Sequence, residues 1–147
     1  MKALLAMLAM LAAAPVWALS CETPDPVRAF EFASTDKAEW MVVYGRLSLD
    51  DSRLPAHANA DVPASLKGRL LTARGFKQDF ERPIILRISC SGRICGGARN
   101  GQSYMAFLRK EGRRYVAFAA PCGGLLFPRP QKADLNAVEA CMRGACP

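Results

Sequence analysis

The chain has one histidine in 147 residues, and it contains no Cys-x-x-Cys pair, no Gly-Lys-Ser/Thr ending and no second long apolar run after its first eighteen positions. Each absence removes a class of function. His57 lies in a Pro/Ala-rich stretch with no partner at motif spacing, so it reads as a solvated loop residue rather than a general base. The cysteines have four residues between them where they come closest, which suits bridges better than a zinc centre or a redox pair. Asp50-Asp51 and Asp61 lack the oxygen-ligand spacing of a calcium loop. No later stretch approaches the ~20 apolar residues that a transmembrane helix needs. The expectation is a non-enzymatic protein with no catalytic residue, no metal site, no cofactor and no transmembrane segment.

What is present begins with export. Met1-Lys2 supplies a charged start, Ala3 to Trp17 an apolar run that is short and Ala-rich, and Val16-Trp17-Ala18 a small-residue cleavage site. Residues 1–18 are therefore expected to be a signal peptide, with cleavage after Ser20 as the alternative, and residues 19–147 a single domain. All six cysteines, Cys21, Cys90, Cys95, Cys122, Cys141 and Cys146, lie beyond that point. An even count in a short exported chain reads as three disulfides, in a periplasmic or extracellular setting, and fifteen pairings are open to it. Ala18-Leu19-Ser20-Cys21 also loosely fits a lipoprotein site, but lipidation of Cys21 would leave five cysteines and one unpaired.

Charge is divided along the chain. Residues 19–61 carry eight acids and four bases, whereas residues 62–147 carry five acids and fifteen bases, mostly arginine. Arginine's planar fork suits phosphate and carboxylate, so an anionic surface is one reading, and self-neutralisation by the acidic half is the other. Convergence of the arginines between Arg69 and Arg114 on one concave face would favour the first. Export argues against nucleic acid as a partner. Gly96-Gly97-Ala98-Arg99-Asn100-Gly101 offers backbone N–H groups for an anion, helped by Arg93 and Arg99; Arg113 and Arg114 are the other candidate anion contacts.

Asp25-Pro26 is a helix start, a capping carboxylate followed by proline, and Val27, Phe30 and Ala33 recur at helical spacing over roughly 26–37. Trp40–Leu49 is a strand, apolar on both faces where it starts and so central, with Gly45 marking a bulge or coil. Residues 50–65 have no period and two prolines and read as a long loop. Further strands are expected at Leu66–Phe76, Arg82–Ser89, Ser103–Lys110 and Arg114–Ala120, the last two joined at Glu111-Gly112. A Gly/Pro-rich segment then leads to a helix at Ala133–Met142. Trp40, Tyr44, Tyr104, Phe107, Tyr115 and Phe118 could form a stacking platform, but at strand period they are expected in the core.

Cys21 with Pro26 and Ala29-Phe30, then Val43-x-Gly45, Ile94-Cys95-Gly96, Gly101-x-x-Tyr104-x-x-Phe107 and Ala120-Pro121-Cys122, follow one another in a recognisable order. In these landmarks the chain resembles the netrin-like module, the OB-type barrel found in tissue inhibitors of metalloproteinases and in bacterial exported proteins. The resemblance implies a mainly β fold: a five-stranded OB-type barrel with an N-terminal and a C-terminal helix, stapled by disulfides. Inhibitor-type members begin Cys-x-Cys; by spacing, Cys21 matches the second cysteine and the first falls on Leu19. The implied connectivity is Cys21–Cys122, with Cys90–Cys95 replacing the lost N-terminal bridge and Cys141–Cys146 remaining. The implied function is an exported binding module whose partner is a protein of the envelope or exterior, the alternative being anionic envelope lipids or glycans. Metalloproteinase inhibition is the narrower implication, weakened by Leu19.

Overall fold

A computed structural model describes residues 20–147; the expected signal peptide, its cleavage after Ala18 and Leu19 lie outside the described residues. Helix α1 (Pro26–Thr35) starts where Asp25 accepts a hydrogen bond from the Val27 N–H at 2.8 Å, with Pro26 in the first turn. It stops two residues short of the expected end. Asp36 takes up extended backbone, and its carboxylate accepts from the Lys37 N–H at 2.7 Å and from Trp40 Nε1 at 2.8 Å.

The strands are β1 (Trp40–Leu49), β2 (Ala60–Thr72), β3 (Gly75–Ile88), β4 (Cys90–Ser91), β5 (Ile94–Cys95), β6 (Ser103–Glu111), β7 (Arg114–Ala119) and β8 (Leu126–Pro128); helix α2 (Lys132–Met142) follows. Five of them form a closed ring, β1–β2–β3–β7–β6 and back to β1, antiparallel throughout except for β3 against β7. Strand β1 is hydrogen-bonded on both sides, as its two apolar faces require. Strand β8 adds to the outer edge of β6, and β4–β5 form a separate two-residue hairpin.

Two expectations need correction. The loop expected over 50–65 ends at Asn59, because Ala60–Ser65 belong to β2. The strands expected at Leu66–Phe76 and Arg82–Ser89 are parts of one long hairpin that turns at Ala73-Arg74. Proline is responsible for the first misreading and polarity for the second. Pro63 lies on a part of β2 that has left β1 behind, since that pairing ends at Ala64, and Pro83 lies on β3 before β7 begins to pair at Ile85. Each proline has a strand on one side only, where its missing N–H costs no ladder bond. Lys77, Gln78 and Asp79 are exposed on the part of the hairpin that overhangs the ring.

Alternation along the strands makes two apolar layers. Val43, Leu47, Leu66, Leu86, Leu108 and Ala117 fill the ring, while Val42, Met105 and Phe107 face outward and are covered by Ala29 and Ala33 of α1 and Val138 of α2. Gly45 and Gly68 stand opposite each other across β1 and β2. A Cβ on Gly68 would lie 2.1 Å from the Tyr44 carbonyl oxygen, and one on Gly45 2.4 Å from that of Lys67. The ring closes tightly there because neither residue has a side chain.

The disulfides are Cys21–Cys122, Cys90–Cys95 and Cys141–Cys146, the pairing that the family resemblance implies. The first ties the segment before α1 to the end of β7. Among the described residues no helix is long and apolar enough to cross a membrane.

Candidate functional site

An open groove of about 490 Å³ lies at one end of the ring. Four segments border it: Cys95 to Arg99 from the end of β5, Gln102 and Tyr104 at the start of β6, Ala119 to Pro121 with Gly123 from the end of β7, and Leu126 with Pro128-Arg129 at β8. Gly96 fixes the first against the third. Its N–H donates to the Ser89 carbonyl at 2.9 Å, the Ser89 N–H donates to the Ala119 carbonyl at 3.0 Å, and a Cβ on Gly96 would lie 2.0 Å from that same Ala119 oxygen. Tyr104, only 3% exposed, accepts the Arg99 N–H on its hydroxyl at 2.9 Å, which holds the 97–99 segment over the start of β6. Beyond it, Gly101 N–H donates to the Leu47 carbonyl at 2.8 Å. The Arg129 N–H donates to the Ser103 carbonyl at 2.9 Å and so extends the β8–β6 ladder by one bond.

The arginines separate into two populations. On the outer face of the sheet Arg69, Arg87 and Arg109 are paired with carboxylates. Arg87 grips Asp61 with two bonds of 2.8 and 2.9 Å and reaches Glu111 at 2.9 Å; Arg109 also binds Glu111 and lies over the Phe118 ring, 4.7 Å from its centre, and beside Trp40. The Arg109 and Arg87 guanidiniums hold the Glu111 carboxyl below the usual range, and Arg87 does the same for Asp61. Arg69 pairs with Asp79, and Lys110 with Glu39. Asp61 and Glu39 come from the acidic segment, so part of the charge division seen in sequence closes on itself.

The second population has no carboxylate partner among the described residues. Of the four candidate anion contacts, only Arg99 lines the groove; Arg93 occupies the β4–β5 turn, Arg113 the β6–β7 turn and Arg114 the start of β7. These positions do not form one cluster. Arg129, which was not among the candidates, does line the groove. Its only sequence signal is its place in Pro128-Arg129-Pro130, and it is the one non-glycine residue with positive φ, 46°, among the described residues.

His57 is exposed, with Nδ1 3.4 Å from the Arg93 carbonyl oxygen. Asp50 caps the short 3₁₀ turn Asp51–Arg53 by accepting from the Ser52 N–H and hydroxyl, which keeps its carboxyl below the usual range, the hydroxyl bond being the larger cause. Among the described residues no three acidic, histidine or cysteine side chains gather as a metal site would require. The six aromatics considered for stacking are divided: Tyr104 and Phe107 are buried, Tyr115 packs on Phe80, Tyr44 packs on Phe76, and Trp40 and Phe118 lie half-buried on the outer face. No protein-family model matches the chain, and neither the curated proteins nor the solved structures include a match to it.

Proposed function

We propose that the chain is a netrin-like, OB-type module that acts as an exported, non-enzymatic binding protein. One observation carries the reading. Five strands close into a ring in the order β1–β2–β3–β7–β6, and Cys21–Cys122, the bridge that the resemblance implies, ties the N-terminal segment to the end of the fifth. The three bridges and the absence of a membrane-crossing helix among the described residues are compatible with export. A protein partner is favoured over a broad anionic surface because Arg69, Arg87, Arg109 and Lys110 are already matched by carboxylates. Phe32 and Ile94, each 52% exposed, offer apolar contact points.

The reading is tested by exporting the protein with a photo-crosslinking residue at Phe32 or at Ile94. A discrete cross-linked band containing a second protein, and a secreted product that starts between Leu19 and Cys21, are expected. Retention in the cytoplasm, or no adduct from either position, would overturn the reading. Zinc proteases assayed with micromolar mature protein are expected to keep full activity, because the position of the inhibitors' first cysteine is held by Leu19.

A further inference from the structure

We propose that the groove between Arg99 and Arg129 is a binding site for a phosphate group. Both guanidinium-bearing residues line it, neither has a carboxylate partner among the described residues, and no Asp or Glu contributes to the lining. Arg69, Arg87 and Arg109 on the outer face, by contrast, are paired. Gly97 and Ala98 also border the groove, and their backbone N–H groups have no protein acceptor among the described residues. Ala98 is only 8% exposed, and a donor left unpaired beside a buried residue needs water or a ligand.

Backbone conformation points to the same place. Arg129 is held at a φ of 46°, a region that side-chain-bearing residues seldom occupy and that tends to mark functional positions. Glycine would sit there without strain, yet the position, which lines the groove, carries a long cationic side chain.

Counting donors selects the ligand. Two arginine forks, each giving two N–H groups, together with Gly97 and Ala98, supply about six donors, whereas a carboxylate offers about four acceptor positions. A phosphate monoester has three terminal oxygens and a charge near −2, which matches both the donor count and the two positive charges. Pro121, Leu126 and Pro128 also line the groove, together with Gln102 and Tyr104, so the group attached to the phosphate meets a wall of mixed polarity. The inference goes beyond the protein-binding reading, and either can fail without the other.

The test follows amide and arginine side-chain NMR signals of the intact, disulfide-bonded protein during titration with glycerol 3-phosphate and with inorganic phosphate. Saturable shifts confined to Gly97, Ala98, Arg99 and Arg129 are expected. Arg99→Gln and Arg129→Gly should each weaken binding about tenfold, the value of one charged hydrogen-bonding partner, while Arg113→Gln leaves it unchanged. Arg129→Gly should hold or raise the melting temperature, which separates lost charge from a damaged fold. Co-sedimentation with phosphatidylcholine vesicles, with and without phosphatidic acid, distinguishes the source. Retention that requires phosphatidic acid and disappears in Arg129→Gly assigns a lipid headgroup, and soluble binding alone assigns a free phosphate compound. Shifts spread over Arg113 and Arg114, or an unchanged Kd in both groove variants, would overturn the proposal.

Discussion

Removing the Cys21–Cys122 bridge should cost this protein more than removing either of the others. Its cysteines are 101 residues apart, against 5 for Cys90–Cys95 and for Cys141–Cys146. In the loop-entropy treatment a cross-link of that span restricts the unfolded chain by about 4.7 kcal/mol, and a six-residue ring by about 2.2 kcal/mol. The expected difference, about 2.5 kcal/mol, exceeds the error of a denaturant measurement. Double alanine variants are the right comparison because they leave no stray thiol. Cys141 is 5% exposed, so its loss also removes a buried sulfur and narrows the gap by up to ~1 kcal/mol. Urea unfolding followed by tryptophan fluorescence measures both quantities that matter. The C21A/C122A midpoint should fall further than the C141A/C146A midpoint, and its m-value should rise because the unlinked chain exposes more surface on unfolding. Equal losses, or a larger loss for the terminal ring, would refute the span argument.

Gly68→Ala should destabilise by about 3 kcal/mol or more, because the added methyl meets main chain rather than a side chain that can move; thermal unfolding measures it. Gly96→Ala should do likewise and, by pushing 96–99 off the end of β7, deform the groove, which NMR shifts at Ala119 and Ala120 would register. Tyr104→Phe leaves the Arg99 N–H without its acceptor and should cost about 1–2 kcal/mol, with faster hydrogen exchange at Arg99. Acid should weaken the outer-face network in a definite direction. Asp61 and Glu111 have folded pKa values below their ordinary ones, so their contribution is complete above the ordinary carboxylate range and is lost as pH falls through it and below. These groups are partly exposed, so an Arg87→Gln variant should trail the wild type by only ~1 kcal/mol at pH ~7, and that gap should close near pH ~2; a gap independent of pH would contradict the assignment.

How far the fold could be read from sequence depended on whether a residue's role was local. Trp40–Leu49 was legible at both ends because its apolar run is continuous, and the β6–β7 turn because Glu111-Gly112 separates two alternating runs. Asp25-Pro26 announced α1 by capping chemistry alone. The start of β2 was hidden, since Pro63 looks like a loop residue until the strand beside it is known to end at Leu49. Strand β8 lies in a Gly/Pro-rich segment, and only its pairing with Tyr104–Ala106 makes it a strand. The groove was half legible for the same reason. Gly97 and Arg99 belong to a glycine-rich segment that advertises open backbone, whereas Arg129 arrives thirty residues later through the β8–β6 pairing, and its positive φ has no signature in residue type.

The order of the bridges along the chain is nested: Cys21 encloses Cys90–Cys95 before it reaches Cys122, and Cys141–Cys146 stands outside. Where oxidation begins while the chain is still emerging from its N-terminus, Cys21 and Cys90 are the first two thiols to coexist, and they are the wrong pair. Cys95 follows five residues later and can attack a Cys21–Cys90 bond, taking Cys90 as its own partner and returning Cys21 as a thiol. On that route the short ring would release the long-range thiol for Cys122 by exchange, and the final bridge would wait on the arrival of the fifth ring strand.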